Sequence, residues 1–374
     1  MKRLKQLELW YDRTMNSALP PADMPPEDSM DNTSGDRSQT SPAEPYLAKP
    51  VSSATNPVWL ASTRPQLARQ SVSARRSSWF LPLFLLAATC VSTFFAGSMS
   101  WEPHQLLAMY QSLGGDSAGM MVRQTILRNS GQGLVYMVCV VAILFAHEMG
   151  HYIATRIYRV PSSLPFFIPF PIAPIGTMGA VIAMKGQQAN RREIFDIGIA
   201  GPLAGLVLAI PITWFGVAQM EPEMPIVGGG SYRYDIPLMV RWMFAVLHPD
   251  APALTVVSPG QVNAMFMAGW VGLLITGLNM MPISQLDGGH VTYTLFGKYS
   301  RWIARIFVAS AVAYMVFTDT YIWTVMLILV FLIGIYHPPT SDDRVPLGWG
   351  RVALGLISLL IPVLCFPPRG LMPY

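Results

Sequence analysis

Residues 147–151 read HEMGH and carry the chemically most informative pattern in this chain. On an α-helix the two histidines lie one turn apart on the same face, so both imidazoles can bind one zinc ion. Glu148 between them is then free to act as a general base toward water. The pattern therefore predicts a zinc-dependent hydrolytic site with His147 and His151 as metal ligands and Glu148 as the catalytic base.

The setting of this motif is unusual because it ends a run of eleven apolar residues, 136–146. Soluble metalloproteases carry HExxH on an amphipathic helix beside water, whereas an ionisable group in a membrane span is costly and usually functional. The motif and its setting together predict a zinc protease whose active site lies inside a bilayer. Its expected substrates are transmembrane proteins or peptides.

The composition agrees with a membrane protein, since 52% of the residues are hydrophobic and 12% are charged. Residues 1–78 hold 18 of the 46 charged residues, so the remainder is poorer still in charge. A charge-poor body with repeated long apolar runs indicates an α-helical polytopic membrane protein. The net charge is +4, but the basic residues form no pattern with aromatic residues, so we expect the lipid bilayer and no nucleic acid as a partner.

The chain is expected to have two parts. Residues 1–78 are rich in proline and serine with mixed charge, which predicts a disordered cytoplasmic tail. Residues 79–374 are expected to form the membrane-embedded metalloprotease domain, with its catalytic core at about 131–295. The first residues show neither a signal peptide nor the acid-poor composition of a transit peptide, so we expect a bacterial inner membrane rather than an organelle.

Apolar segments suggest about six to seven transmembrane helices. Each of four segments approaches or exceeds the roughly 20 residues that a span requires. Three further segments are shorter. The four long segments are 79–99, 131–156, 194–220 and 262–281, and the three short ones are 302–317, 321–337 and 349–366.

Arginines beside these segments predict their orientation. Arg75 and Arg76 precede the first span and place the N-terminus in the cytoplasm, because basic residues favour that side. Alternation through four spans then puts HEMGH, near the end of the second, and Asp287, just after the fourth, at the same cytoplasmic-side depth.

Residues 160–184 lie between the second and third predicted spans and contain five prolines but no charged residue. Prolines rule out a continuous helix, and non-helical backbone cannot face lipid. Residues 176–182 therefore predict a small membrane-embedded β segment whose free edge pairs with substrate, with Gly176 and Gly179 as candidate substrate-binding residues. An interfacial loop with proline turns is the alternative.

A catalytic zinc site needs a third protein ligand. Asp287 is the favoured candidate because it follows an apolar span and precedes two glycines that permit close backbone approach. Glu193 and Asp196 are competitors near the start of the third span, and His290 is either an alternative ligand or a partner of one.

Three motifs occur together: HEMGH, then GPLAG at 201–205, then NMMPISQLDGGH at 279–290. This combination resembles the site-2 protease family of intramembrane zinc metalloproteases, whose motifs are HExxH and NxxPxxxxDG. The resemblance implies that His147, His151 and Asp287 bind one Zn²⁺ per chain and that Glu148 is the base. It also implies that Asn279 contacts the substrate backbone or the oxyanion.

Two features refine this resemblance. Residues 221–261 are too few for an inserted peptide-binding domain of roughly 80 residues, which favours a branch that lacks a PDZ domain. Gly201, Ala204 and Gly205 fit close helix packing against the zinc-bearing helix and are assigned no chemistry.

Two other functions stay open on the sequence. A metal or proton transporter also places His, Glu and Asp inside a membrane, although it would spread them along several spans. A membrane-anchored metalloprotease of the gluzincin type would need a glutamate as its third ligand, and Glu193, Glu221 and Glu223 are downstream of the motif. The cysteines Cys90, Cys139 and Cys365 have no metal-ligand spacing and are interpreted as packing residues.

Overall fold

The computed structural model describes residues 79–103, 105–221, 232–283, 285–334 and 337–373. All of them belong to the second of two units of the chain, Ser71–Tyr374. The predicted disordered tail 1–78, including Arg75 and Arg76, lies outside the described residues.

Twelve α-helices and five short strands form the described part of the chain. The helices are α1 (Phe80–Ser98), α2 (Gln105–Leu113), α3 (Gly115–Arg128), α4 (Ser130–Ile157), α5 (Arg191–Ala218), α6 (Leu238–Leu247), α7 (Ala264–Asn279), α8 (Asp287–Phe296), α9 (Ser300–Phe317), α10 (Thr324–Ile333), α11 (Trp349–Ser358) and α12 (Ile361–Cys365). The strands are β1 (Phe166–Pro169), β2 (Thr177–Val181), β3 (Tyr232–Asp235), β4 (Val256–Val257) and β5 (Leu371–Pro373).

Four helical stretches among the described residues are long and apolar enough to cross a membrane. They are α1, α4, α5 and the continuous stretch Asp287–Phe317 formed by α8 and α9, with 19, 28, 28 and 31 residues. Shorter apolar helices accompany them. The number of six to seven spans stays a prediction.

The predicted span 262–281 differs from the structure. Helix α7 has 16 residues, which at 1.5 Å per residue gives about 24 Å, less than the roughly 30 Å of a hydrocarbon core. Asn263 caps its start by accepting a hydrogen bond from the N–H of Phe266, and the helix ends at Asn279. Most of its residues are buried among other helices, and its passage through the membrane stays a prediction.

Helix α4 lies at the centre of the packing. It contacts α1, α5 and α7, and α5 also contacts α8. The core between these helices contains large apolar and aromatic side chains that are fully buried, including Tyr136, Ile143, Leu144, Phe195, Phe266 and Trp270. The helices that carry the predicted chemistry are therefore held by direct helix-to-helix contact.

The start of α5 is determined by a capping box. The side chain of Asn190 accepts hydrogen bonds from the N–H groups of Arg192 and Glu193, and the Glu193 carboxylate accepts one from the N–H of Asn190. This arrangement satisfies N–H groups that the first helical turn leaves without partners. The helix then continues through Pro202 and Pro211.

A two-stranded antiparallel sheet lies between α4 and α5 in the chain. Phe166 of β1 pairs with Val181 of β2, and Phe167 pairs with Ala180. An isolated bridge between Ser162 and Met184 extends this pairing. Strand β1 packs on α1, whereas β2 contacts α4. Among the described residues no third strand joins this sheet, so the far edge of β2 carries no strand.

Candidate metal centre

Helix α4 carries the three residues of the HEMGH motif that have ionisable side chains. His147, Glu148 and His151 are all buried. The Nε2 atoms of the two histidines are 3.3 Å apart, as expected for side chains one helical turn apart on the same face. The motif therefore forms a pair of converging imidazoles inside the protein.

Asp287 completes a group of three converging ligand atoms. Its Oδ2 atom is 3.2 Å from Nε2 of His147 and 3.3 Å from Nε2 of His151. Zinc bound tetrahedrally at 2.0–2.1 Å would hold its ligand atoms about 3.3 Å from one another. The triangle thus has the size of one face of a tetrahedral zinc site, so the residues present fit this metal.

The tautomer of His151 suits a metal ligand. Its Nδ1 lies 2.8 Å from the carbonyl oxygen of Ile197, which can only accept a hydrogen bond. Nδ1 therefore carries the proton, and Nε2 directs a lone pair toward the other two ligand atoms. A ligand histidine that donates its second N–H to a carbonyl is held in orientation in this way.

Glycines let α5 approach the motif closely. A Cβ atom at Gly150 would overlap the carbonyl group of Ala200, so α4 and α5 touch through their backbones there. A Cβ atom at Gly201 would overlap the ring of His151, and one at Gly205 would lie 3.1 Å from Nδ1 of His147. Gly201 and Gly205 of the GPLAG segment therefore lie directly against the two imidazole rings.

A close turn brings Asp287 to the two histidines. Helix α7 ends at Asn279 and α8 begins at Asp287. A Cβ atom at Gly288 would overlap the carbonyl group of Met280, so this glycine allows the start of α8 to lie against the end of α7. The glycine that follows the aspartate is thus a requirement of backbone packing.

The three ligand candidates and Glu148 open into one cavity of about 320 Å³. Residues 180–184, from the end of β2 onward, form part of its lining, and Asn279 and His290 form another part. The amide nitrogen of Asn279 lies 3.3 Å from Nε2 of His147. A carboxylate base and an amide donor therefore share a cavity with the candidate metal ligands.

The part of the chain that carries the candidate metal ligands is similar to known proteins. Residues 135–319, which include every residue of the triangle, match peptidase family M50. The matched segment belongs to this family, the site-2 protease family. A search of solved structures found none that matches.

Named relatives of this M50 chain come from plants. A protein of Oryza sativa subsp. japonica named "Probable zinc metalloprotease EGY1, chloroplastic" is 31% identical over 229 residues, which cover 58% of this chain and 38% of the relative. One of Arabidopsis thaliana named "Probable zinc metalloprotease EGY2, chloroplastic" is 27% identical over 231 residues, covering 60% and 40%. The chain thus spans about two fifths of the length of these relatives. The transporter alternative receives no support from these matches.

The competing ligands from the sequence have other roles in this M50 chain. Glu193 belongs to the capping box of α5. Asp196 accepts two hydrogen bonds from the guanidinium of Arg351, at 2.7 and 2.8 Å, and one from the hydroxyl of Tyr158 at 2.5 Å. That last bond raises the pKa of Tyr158. His290 lines the cavity but is not part of the converging group.

The candidate substrate-binding glycines do not line the cavity. Gly176 has a φ of +73° and packs on α1, where the hydroxyl of Ser92 donates to its carbonyl oxygen at 2.5 Å. Gly179 has a φ of +96°, a conformation that favours glycine. Neither residue lines the cavity, whereas residues 180–184 do. The part of the hairpin beside the candidate metal centre therefore begins one residue after Gly179.

Two groups beside the candidate metal centre carry no signal in the sequence. One is the carbonyl oxygen of Ile197, which orients His151 and carries no signal in its residue type. The other is His337, whose Nε2 lies 2.5 Å from Nδ1 of His290. The sequence gives no sign of this contact, because the two histidines are 47 residues apart.

Proposed function

We propose that this chain is an intramembrane zinc metalloendopeptidase that hydrolyses peptide bonds in membrane-spanning substrates. The observation that carries the proposal is the convergence of His147, His151 and Asp287 beside Glu148 in one buried cavity. Both helices that supply these residues belong to stretches long and apolar enough to cross a membrane. The family and the names of the relatives support the same assignment.

The metal would be held by Nε2 of His147, Nε2 of His151 and a carboxylate oxygen of Asp287. When bound, zinc supplies a Lewis acid that polarises the scissile carbonyl and makes water a better acid. Glu148 takes the proton of the attacking water and later delivers it to the departing amine. Asn279 donates an amide hydrogen bond to the substrate carbonyl as negative charge develops on its oxygen.

The depth of the site within α4 supports cleavage inside the bilayer. His147 and His151 lie ten and six residues before the end of this 28-residue helix, or about 15 and 9 Å along its axis. Residues this far from the helix end are expected below the membrane surface. A soluble peptide would have to enter the protein to reach them, whereas a membrane-spanning one is already at that depth.

Substrate must be unwound before its carbonyl groups are accessible, because helical backbone is fully hydrogen-bonded. We propose that the unwound segment adds as a strand to the free edge of β2 and its continuation through residue 184. This strand addition would satisfy backbone groups that lipid cannot. The β hairpin would accordingly be embedded in the membrane, and residues 79–374 would form the protease domain.

The host membrane stays a prediction. The sequence favours a bacterial inner membrane with the N-terminus in the cytoplasm, but the relatives are named as chloroplast proteins and do not support it. Membrane fractionation of the source cells, with antibody accessibility of a tag on the N-terminus, decides the compartment and the orientation.

The test of the proposed activity uses the full chain in liposomes that contain a labelled transmembrane peptide. Wild type is expected to cleave the peptide, and Glu148→Gln to lose at least about a thousandfold in rate while keeping one zinc per chain. Asp250→Asn, at an exposed residue after α6, serves as the charge-matched control and should cleave normally. Full activity of Glu148→Gln would overturn the proposal, as would metal transport by a wild type that cleaves nothing.

A further inference from the structure

Two histidines outside the metal triangle form a hydrogen-bonded chain that ends at the catalytic cavity. His290 lies on α8, one turn after Asp287, and lines the cavity. Its Nδ1 is 2.5 Å from Nε2 of His337. Nδ1 of His337 is in turn 2.5 Å from the carbonyl oxygen of Pro338. The proposed function assigns no role to this chain of groups.

The direction of these hydrogen bonds determines where the protons reside. A carbonyl oxygen only accepts, so Nδ1 of His337 is the donor to Pro338. Burial lowers the pKa of His337, which favours its neutral form. Its Nε2 is then an acceptor, and Nδ1 of His290 must donate to it. In neutral His290 the remaining nitrogen, Nε2, carries a lone pair and no proton.

This lone pair has no partner within the described parts of the protein. His290 is only 6% exposed, yet its one side-chain hydrogen bond there is the one at Nδ1. It is also outside the group of converging metal ligands. An acceptor that lines a cavity takes its hydrogen bond from water or from a bound molecule that supplies a donor.

The position of His290 relative to β2 identifies that donor. The continuation of β2, residues 180–184, and His290 both line the cavity. An extended peptide has N–H and C=O groups along both of its edges. If one edge pairs with β2, as the proposed function holds, the groups on the other edge need partners from elsewhere in the cavity.

We propose that Nε2 of His290 accepts a hydrogen bond from a backbone N–H of the bound substrate and that His337 is the positioning residue for this contact. The inference rests on the proposed protease function and names one group that holds the substrate strand on its far edge. It explains why a histidine is held in a single tautomer beside a metal centre to which it is not a ligand.

The contact lies on one particular side of the metal centre. Along α5, Gly198 packs on Cβ of His290, Gly201 on the ring of His151 and Gly205 on His147. The order places His290 nearer to the start of α5 than either histidine ligand. The substrate N–H that it binds is therefore on the side of the scissile bond that points toward the start of α5, the predicted cytoplasmic side.

The test combines a variant with a modified substrate. Peptides are prepared in which one amide at a time, other than the scissile one, is replaced by an ester, which removes a single N–H. Wild type and His290→Phe, both as full chains in liposomes, are compared on this series. Phenylalanine keeps a ring against Gly198 and removes Nε2.

His290→Phe is expected to lower kcat/KM for the parent peptide about tenfold, the value of one hydrogen bond of about 1.4 kcal/mol. At one ester position, kcat/KM of wild type should fall by the same factor. At that position kcat/KM of His290→Phe should not fall further, because the variant already lacks the hydrogen bond that the ester removes. Zinc content should be unchanged in both chains. The same comparison with wild type on the ester series is repeated with His290→Leu, so that one misfolded variant does not decide the outcome.

The role of His337 has its own readout. In wild type labelled with ¹⁵N-histidine, the NMR signals of the His290 ring nitrogens are expected to show a protonated Nδ1 and an unprotonated Nε2. His337→Leu should mix the two tautomers and lower kcat/KM by a similar factor. His337→Gln, whose amide oxygen can take the place of the acceptor, should restore both the tautomer and the rate.

Two failures are distinguishable. In the first, wild type cleaves the peptide and Glu148→Gln does not, but both His290 variants have the same kcat/KM as wild type for the parent peptide and for every ester. This inference is then overturned and the protease function stands. If wild type cleaves nothing, or Glu148→Gln cleaves normally, the protease function fails and the inference fails with it.

Discussion

The imidazole of His151 occupies the space beside Gly201 that a Cβ atom would need. The same ring donates its Nδ1 proton to the carbonyl oxygen of Ile197, four residues earlier on α5. One helix thus provides both the surface and the hydrogen-bond acceptor that orient a candidate metal ligand on another. The motif on α4 depends on α5 for its geometry.

Gly201→Ala should weaken zinc binding by about 10- to 100-fold, the usual effect of disturbing a group that orients a metal ligand. The added methyl group must displace the His151 ring from the triangle. Affinity is measured by titration with a competing chelator.

The matched control for this variant is Gly131→Ala, on α4 itself. A Cβ atom at Gly131 meets nothing within 4 Å. Its zinc affinity should equal that of wild type. Equal affinity in the Gly201→Ala chain would show that the ring has room to move and would contradict the prediction.

Asp287→Ala should lose most of its zinc, because two imidazoles remain where a catalytic site needs three protein ligands. Glu193→Ala removes the other acidic candidate and should keep one zinc per chain. Its expected cost is about 0.5–1 kcal/mol of stability, the size of a weakened helix cap. Metal content of the two purified proteins, measured side by side, decides between them; full retention in Asp287→Ala rejects the ligand set.

Met178→Pro and Val181→Pro should each lower peptide cleavage by at least about tenfold while zinc stays bound. Proline removes a backbone N–H from β2 and cannot continue a pairing strand. Both side chains are 52% exposed, so their loss should not disturb the core.

Met178→Ala and Val181→Ala are the controls for the proline variants, since they shorten the side chain and keep the N–H. Cleavage by these two should stay within about twofold of wild type. Proline variants that cleave as fast as the alanine variants would rule out strand addition to β2.

Arg351→Ala should lower stability by about 1 kcal/mol, a discounted value because the Arg351 side chain is 35% exposed. Its guanidinium binds Asp196 at the start of α5, and Asp196 also accepts from Tyr158 just after α4. Arg351→Lys should recover only part of the loss, since an ammonium cannot make both hydrogen bonds.

Thermal unfolding in detergent measures this effect. Arg344→Ala is the control, because Arg344 is exposed. Activity per zinc-loaded molecule should be unchanged in all three variants. A change in kcat without a change in stability would mean that this cluster acts on the catalytic site instead.

Much of the site was accessible from the sequence because its rules are local. The spacing of His147 and His151 puts both on one helix face whatever surrounds them. Asp287 was favoured because a buried metal site in an apolar chain leaves few candidate carboxylates. The structure brings all three together, whereas the assignment of Glu148 and Asn279 to catalytic roles stays a prediction.

Other parts were inaccessible because they depend on how distant segments meet. The predicted span 262–281 is a helix of only 16 residues, α7, because the cap at Asn263 and the end at Asn279 set its length. Gly176 and Gly179 were expected to contact substrate because they lie in the predicted β segment. The residues of the hairpin that line the cavity are 180–184, and a contact of either glycine with substrate stays a prediction.

The sequence by itself determined the chemistry and the medium: two histidines and a glutamate at helical spacing, a later aspartate, and a chain too apolar for water. Only the tertiary structure decided which groups orient them, because the carbonyl at Ile197 and the missing Cβ at Gly201 act on His151 through contact between two helices. Local periodicity carries no information about those contacts.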